Sequence, residues 1–224
     1  MNDIPIMNKM PVISAFITNL GKYNEGELIG KWHDFPTTRE EIARTFKEID
    51  IDGVRYEEFF ITDYDINIEG IYDNLSEYEN LNEINYLASK IAEMDRSDLE
   101  KYEAIISYGD YCSSLKNLIN LTENLDCYDY IEGILNDYDL GYYWINDSGC
   151  YDIKSMGQLY SYFDYESFGR DITLDESGAY TANGYIRSNG DTFYTEYDGV
   201  NIPDEYKIFA IPKTEQKLIK TLNM

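Results

Sequence analysis

The residue types that most often carry catalysis are few in this chain and lie far apart in the sequence. His33 is the single histidine, and no nucleophile is paired with it in a recognisable motif, so we interpret it as structural. The three cysteines, Cys112, Cys127 and Cys150, are odd in number and form no CxxC pair. This pattern argues against a disulfide framework and against a zinc site. We therefore expect a protein that is not an enzyme and holds no metal or other cofactor.

Two segments begin like ligand-binding loops and then depart from the motif. Gly26-x-x-x-Gly30 lacks the Gly-Lys-Ser/Thr ending of a phosphate-binding loop. The segment that starts at Asp63 opens like a calcium loop, but Ile68 replaces the glycine at its sixth position and Asn74 replaces the glutamate at its twelfth. A carboxylate pair for glycoside hydrolysis remains open, since an acidic chain offers many pairs. A carboxylate-dependent hydrolase is therefore kept as an alternative.

The carboxylates are informative because cations are missing around them. Residues 63–89 contain seven carboxylates and no Lys or Arg, and residues 117–153 contain eight and again none. Regular spacings occur at Asp65, Glu69, Asp73 and Glu77 and at Asp126, Asp129 and Glu132. On a helix, a four-residue spacing is roughly 6 Å along the axis, which is similar to the phosphate spacing on one DNA strand. Like charges at this spacing destabilise a helix, so a sequence selected for stability alone would place lysines among them. We therefore interpret the runs as a surface that imitates DNA.

The surface that we assign to this imitation comprises both runs and some carboxylates near them. Its residues are Asp63, Asp65, Glu69, Asp73, Glu77, Glu79, Glu83, Asp110, Glu123, Asp126, Asp129, Glu132, Asp137, Asp139, Asp164, Glu166 and Asp171.

The overall charge indicates the kind of partner. The 224 residues carry 43 Asp and Glu against 18 Lys and Arg, a net charge of −25, while 43% hydrophobic residues are enough for a core. Such a charge excludes ordinary nucleic-acid binding, which needs cations, and predicts a cationic protein surface as partner. No segment approaches the roughly 18 apolar residues of a membrane helix, and residues 1–10 lack the apolar run of a signal peptide. We expect a cytoplasmic protein.

The elements that must position these carboxylates are strands first and helices later. Residues 12–18 and 28–32 predict a strand pair, and residues 56–62 predict a third strand. A capping box at Thr38 and Glu41 starts a helix whose apolar face is Ile42, Ala43, Phe46 and Ile49. Helices are also predicted over 81–94, from a capping box at Ser97 to residue 106, and over 113–121, 128–136 and 155–163. Two Asn-Gly pairs within residues 180–197 predict a β-hairpin.

Three sequence blocks resemble those of the ArdA antirestriction proteins. The first is Asn19-Leu-Gly-Lys-Tyr-Asn-Glu-Gly-Glu-Leu28 followed by Gly30 and Trp32. The second is Glu57-Glu-Phe-Phe-Ile-Thr-Asp-Tyr-Asp65, and the third is Tyr162-Phe-Asp-Tyr-Glu-Ser-Phe-Gly-Arg-Asp171. Their order and spacing match over about residues 12–209. In the third block we expect Gly169 to permit a turn and Arg170 to pair with Asp171 or Glu166.

The resemblance implies a fold, a partner and a role. It implies an elongated, curved α+β chain of three small domains that forms a homodimer through the C-terminal domain. We place an N-terminal domain of mixed sheet and helix at 1–62, a central acidic helical bundle at 63–109, a C-terminal mixed α/β domain with the hairpin at 110–209, and a basic tail at 210–224.

ArdA proteins are encoded on conjugative mobile elements and bind type I restriction–modification enzymes in the DNA-binding groove. The resemblance carries over no catalytic residue. It places Asp63, Asp65, Asp164, Glu166 and Asp171 at family positions. A DNA mimic directed at another DNA-binding protein, such as a nucleoid protein or a repressor, is an alternative.

Overall fold

The computed structural model describes residues 11–208 and divides the chain into two compact units. Of these residues, the first unit contains 11–94, 113–119 and 197–208, and the second contains 95–112 and 120–196. Each unit combines helices with a small antiparallel sheet, which confirms the α+β class. The three-domain division remains a prediction, and the basic tail at 210–224 lies outside the described residues.

The first unit is built on a three-stranded antiparallel sheet with the order β2-β1-β3. Its strands are β1 (Ile13–Asn19), β2 (Gly30–Phe35) and β3 (Phe59–Ile66), with the short α1 (Leu20–Asn24) between β1 and β2. All three predicted strands are confirmed with shifted bounds. The third begins at Phe59 because the Asp52 carboxylate accepts hydrogen bonds from the backbone N–H groups of Val54, Arg55 and Tyr56, which holds that segment as a turn.

Helix α2 (Arg39–Glu48) begins at the predicted capping box. The Glu41 N–H donates to Thr38 Oγ1 at 3.3 Å, and the Thr38 N–H donates to Glu41 Oε2 at 3.1 Å. Ile42, Phe46 and Ile49 are buried as expected, whereas Ala43 is exposed and Thr45 takes its place in the core. The predicted apolar face is therefore correct except at Ala43.

The remaining helices of the first unit follow their apolar periodicity. The stripe predicted for α3 (Leu81–Glu93) is fully buried, at Leu81, Ile84, Leu87, Ala88 and Ile91. The predicted 113–121 helix is α5 (Leu115–Leu121), which passes from the first unit into the second after residue 119.

In the second unit, α4 (Arg96–Tyr108) starts earlier than the sequence predicts. The capping box at Ser97 is wrong, because the cap is Asp95, whose carboxylate accepts a hydrogen bond from the Asp98 N–H at 2.9 Å. The helix also extends past residue 106 and ends at Gly109, which adopts the left-handed conformation that glycine tolerates.

The helix predicted over 128–136 is a strand. β4 (Tyr128–Glu132) pairs with β6 (Gly184–Ser188), which also pairs with β5 (Ala179–Tyr180), so the order is β4-β6-β5. Asp129 lies directly opposite Arg187 in this ladder, and the two form an ion pair at 2.8 Å. A partner more than fifty residues away thus favours a strand in this segment over the predicted helix.

The hairpin prediction is correct for the first Asn-Gly pair. Asn183 and Gly184 lie where the chain returns from β5 into β6. The second pair follows β6, and Asn189 donates to the backbone oxygen of Asp126 at 2.7 Å instead of turning into another strand. Between Gly190 and Ile208 the structure describes no strand.

The end of the second unit contains two closely packed helices, α6 (Asp137–Tyr142) and α7 (Tyr165–Glu176). A π-helical turn (Tyr143–Asp147) follows α6, and the helix predicted over 155–163 is a 3-10 helix (Ile153–Tyr162) broken at Gly157. Gly169 lies inside α7 and not in a turn. A Cβ atom there would overlap the carbonyl oxygen of Asp137, and one on Gly141 would overlap that of Tyr165.

Candidate acidic interaction surface

The acidic run of the first unit does not form a helix before Leu81. Asp63 and Asp65 lie on β3, Asp73 lies in a short 3-10 turn (Tyr72–Asn74), and Glu69 and Glu77 lie in the connections around it. The helical spacing expected for these residues is therefore wrong. All five are nevertheless exposed, because the segment runs over the surface of the unit. The run presents carboxylates to solvent with the irregular spacing of a strand and loops.

Two predicted members of the surface also stabilise the first unit. Glu79 accepts hydrogen bonds from Ser76, from its backbone N–H at 3.0 Å and its hydroxyl at 2.9 Å. Glu83 accepts one from the Tyr197 hydroxyl at 2.7 Å, and its burial raises the pKa of this carboxyl although that bond acts in the opposite direction. Both side chains are half-buried. Both carboxylates therefore take part in the internal hydrogen bonding of the first unit.

Four of the other carboxylates of this run have no side-chain partner among residues 11–208, whereas Asp63 Oδ1 accepts a hydrogen bond from the Tyr64 N–H at 2.9 Å. The side-chain carboxylates of Asp65, Glu69, Asp73 and Glu77 accept no hydrogen bond and form no ion pair with any residue in 11–208. Carboxylates that lack a partner keep their full capacity to accept hydrogen bonds from outside. They are the strongest candidates in this unit for contact with a cationic surface.

The second unit shows the same division between exposed and half-buried carboxylates. The exposed ones are Glu123, Asp126, Glu132, Asp164, Glu166 and Asp171. The half-buried ones are Asp110, Asp129, Asp137 and Asp139.

The half-buried carboxylates of this unit accept hydrogen bonds from other elements or from the cap of their own helix. The Tyr128 hydroxyl donates to Asp110 at 3.3 Å, and the Tyr180 hydroxyl donates to Asp137 at 2.8 Å. The Asn136 amide donates to Asp139 at 2.7 Å. Together with the Asp129–Arg187 pair, these bonds give each of the four half-buried carboxylates a partner within the fold.

Two residues of the third sequence block have defined local partners. Asp164 is the N-cap of α7, where it accepts hydrogen bonds from the Ser167 N–H at 3.0 Å and the Ser167 hydroxyl at 2.8 Å. These bonds lower the pKa of the Asp164 carboxyl and keep it charged. Arg170 contacts Asp171 at 3.4 Å, as predicted, but both side chains are exposed and the pair contributes little to stability.

His33 has the surroundings of a structural residue. Its Nδ1 lies 2.8 Å from Thr45 Oγ1 and its Nε2 lies 2.9 Å from Thr37 Oγ1. Thr37 donates its hydroxyl hydrogen to Glu41, so Nε2 must carry the ring hydrogen and donate to Thr37, while Nδ1 accepts from Thr45. Burial lowers the pKa of His33 against the opposing influence of Asp34 and Glu41. Both ring nitrogens of His33 therefore have a hydrogen-bond partner within the fold.

The remaining candidates for chemistry are the three cysteines and clusters of metal-ligating side chains. Burial raises the pKa of the Cys127 thiol, and the three cysteines are unbridged. Within residues 11–208, no group of three or more His, Cys, Asp or Glu side chains could hold a metal ion. In the same range, no helix is long and apolar enough to cross a membrane.

Sequence reasoning missed two groupings that involve carboxylates. Asp34 on β2 lies across β1 from Asp65, a proximity that only the strand order reveals. In the second unit, a cavity of about 280 Å³ brings Asp139 and Asp147 close to Tyr138, Tyr142 and Tyr143. The alternation of β2 could have placed Asp34 on the same face as Trp32, but not beside Asp65.

These observations define an acidic α+β protein in which some exposed carboxylates have no side-chain partner among residues 11–208. A sequence model of the antirestriction protein family ArdA matches residues 15–187. The chain therefore belongs to the ArdA family, whose function is antirestriction. Among curated proteins, no relative matches it.

Proposed function

We propose that this protein blocks type I restriction–modification enzymes by occupying their DNA-binding groove as a mimic of DNA. The observation that carries the proposal is the set of exposed carboxylates at Asp65, Glu69, Asp73 and Glu77, which have no side-chain partner among residues 11–208. Membership of an antirestriction family supports the choice of target. A groove that binds DNA phosphates through Lys and Arg would find in this run exposed negative charges that its cations can contact.

The net charge of −25 determines how such a complex forms. Opposite charges attract the two proteins before contact, which raises the association rate. The attraction extends over a Debye length of about 8 Å at physiological salt and shortens as salt is added. Binding by mimicry should therefore weaken steeply with ionic strength, as DNA binding does.

We further propose that the functional form is an elongated homodimer of three-domain chains that acts in the cytoplasm and is encoded on a conjugative mobile element. These features follow from the family resemblance. A solution mass of twice 26.1 kDa, together with an extended scattering profile, is the expected result. A compact monomer of 26.1 kDa at micromolar concentration would contradict the dimer.

A competition experiment tests the proposed function. A type I restriction–modification enzyme is bound to a labelled recognition duplex at low salt, and the protein is added up to stoichiometric excess. We expect the duplex to be displaced, and displacement to decline as salt is raised. Poly-glutamate at equal carboxylate concentration is the control for charge alone and should displace far less. The proposal is wrong if the duplex stays bound.

A further inference from the structure

One row of polar side chains crosses the sheet of the first unit. β1 is the central strand, and its Ser14 lies opposite Asp34 of β2 and opposite Asp65 of β3. Side chains alternate between the two faces of a strand, so this row faces away from the core that Ile13 and Ala15 enter. Both aspartates are exposed, whereas Ser14 between them is buried. The outer face thus carries two carboxylates with a hydroxyl between them.

The neighbouring row on the same face is aromatic. Phe16 of β1 lies opposite Trp32 of β2 and opposite Asp63 of β3. The two rings meet edge to face with their centroids 5.4 Å apart. Trp32 is still 43% exposed, which is unusual for the largest apolar side chain. An exposed indole among carboxylates is a feature of binding surfaces.

The two rows border a cavity of about 370 Å³. It is lined by Pro11, Ser14, Trp32, Asp34, Asp65 and Asn67. Two donors on its wall are used internally, since Ser14 Oγ donates to Asp34 Oδ1 at 2.6 Å and Asn67 Nδ2 donates to the Pro11 carbonyl at 2.8 Å. Within residues 11–208, Asp65 and Asp34 Oδ2 accept no hydrogen bond. The cavity offers free acceptors and an indole, and no cation lines it in that range.

We propose that this cavity, which we name the Trp32 pocket, receives the guanidinium group of an arginine from the inhibited enzyme. The inference rests on the proposed function, because a groove that binds DNA supplies such arginines. The positive charge of the guanidinium is complementary to Asp34 and Asp65, and its flat face fits against the indole of Trp32. The arginine would anchor the complex at a fixed point within a surface that otherwise attracts by charge alone.

The geometry favours guanidinium over other cations. Asp34 and Asp65 belong to strands on either side of β1, so their backbones are roughly 10 Å apart, two strand spacings. A small metal ion needs several ligands converging within about 2.5 Å, and no described group of three meets that need. Guanidinium presents five donors in one plane, so it can bond a carboxylate while its face lies on the ring. Ammonium is more strongly hydrated and gains less from an indole.

A fluorescence titration tests the pocket directly. In a Trp144→Phe background Trp32 is the single tryptophan, and its emission is followed while acetyl-Gly-Arg-Gly-amide is added at constant ionic strength. We expect a saturable change that is several-fold weaker with the matching Lys peptide and absent in Asp34→Asn/Asp65→Asn. The control pair Glu57→Gln/Glu58→Gln removes the same charge from exposed residues elsewhere in the unit and should leave the response intact. Equal responses to both peptides, or an unchanged response in the Asn variant, would overturn the proposal.

A second experiment separates this pocket from the proposed function. In the competition against labelled duplex, Trp32→Ala and Asp34→Asn/Asp65→Asn should each inhibit about ten-fold less well, and the Glu57/Glu58 control should inhibit like the wild type. Circular dichroism verifies folding, and the Asn variant serves as the test if Trp32→Ala does not fold. If the wild type displaces DNA and both variants do so equally well, the proposal for the Trp32 pocket is wrong and the proposed function as a DNA mimic is supported. If the wild type displaces nothing while the Arg-selective fluorescence response persists, the pocket stands as a guanidinium site and the proposed function fails.

Discussion

Arg187 lies between two carboxylates of the second unit and bonds both. Its Nε and Nη2 donate to Asp129 Oδ2 at 3.1 and 2.8 Å, and its Nη1 donates to Glu176. Burial raises the pKa of Glu176, and the Arg187 charge opposes that rise. With 18 cationic side chains for 43 acidic ones, the chain cannot pair most of its carboxylates. Arg187 is used where a carboxylate is partly buried, while Asp65, Glu69, Asp73 and Glu77 form no ion pair among residues 11–208.

His33 permits a residue-scale prediction about pH. Burial lowers the pKa of this imidazole below its ordinary value of 6.5. Since the folded state then binds the proton less tightly than the unfolded state, the stability that neutral His33 contributes is present above the unfolded pKa and is lost as the pH falls through the folded one. An NMR titration of the single histidine should give a pKa below 6.5, and about 6.5 in urea. A folded value at or above 6.5 would show that the net negative charge outweighs burial.

At the scale of elements, the packing of backbones decides what the chain tolerates. The α6–α7 pair depends on Gly141 and Gly169, which bring each helix against a carbonyl oxygen of the other. Helix ends depend on short polar side chains in the same way, with Thr38 capping α2 and Asp95 capping α4. Small residues at these positions allow close contact or satisfy backbone N–H groups, so their identity is constrained although they carry no chemistry.

The cap of α4 can be tested with a matched pair of variants. Asp95→Ala removes the acceptor for the Asp98 N–H and should lower the free energy of unfolding by about 1 kcal/mol. Ser97→Ala, an exposed position already inside the helix, should change it by less than about 0.5 kcal/mol. Urea denaturation monitored by circular dichroism measures both. A larger loss of the free energy of unfolding for Ser97→Ala than for Asp95→Ala would instead support a capping box at Ser97.

The α6–α7 contact predicts a strong effect for a single methyl group. Gly169→Ala forces the helices apart and should reduce the free energy of unfolding by about 3 kcal/mol. Leu174→Ala in the same helix is the control, because Leu174 is 71% exposed and its truncation should cost little. Thermal unfolding of both variants compares them. Equal melting temperatures would mean that the helices are not in such close contact.

At the scale of the whole molecule, the excess of negative charge opposes folding and serves binding. Self-repulsion destabilises a compact chain with a net charge of −25. The buried aromatic and aliphatic residues of each unit offset this repulsion. The exposed carboxylates of the first unit that have no side-chain partner among residues 11–208 are available to a cationic partner. The free energy of binding should then be spread over many carboxylates.

Grouped neutralisation tests this distribution of binding energy. A variant carrying Asn or Gln at Asp65, Glu69, Asp73 and Glu77 should compete about ten-fold less well against DNA at low salt and should show a weaker salt dependence. Each single substitution should have a small effect. The control carries Gln at four exposed glutamates outside the runs, namely Glu40, Glu57, Glu58 and Glu93. If the substitution of one carboxylate alone abolished the activity of the protein, that result would instead support the carboxylate-dependent hydrolase.

The accuracy of the sequence predictions depended on how far apart the interacting residues lie. The cap at Thr38 and the buried stripe of α3 were predicted correctly, because each depends on residues within one or two helical turns. The segment 128–132 was predicted as a helix because its partner strand lies more than fifty residues further on. The helical spacing of Asp65, Glu69 and Asp73 was wrong for a related reason, since Asp65 lies on β3, which is held by pairing with β1, and the other two follow the end of that strand.

The sequence by itself determined the charge, the α+β class and the family, because these depend on residue types and on motifs of about ten residues. Only the tertiary structure decided which carboxylates lie together and which are already bonded. Asp34, Ser14 and Asp65 form one row because three strands pair in the order β2-β1-β3. Asp129 meets Arg187 because β4 pairs with β6. Such proximities arise from hydrogen bonding between distant segments, which no local pattern encodes.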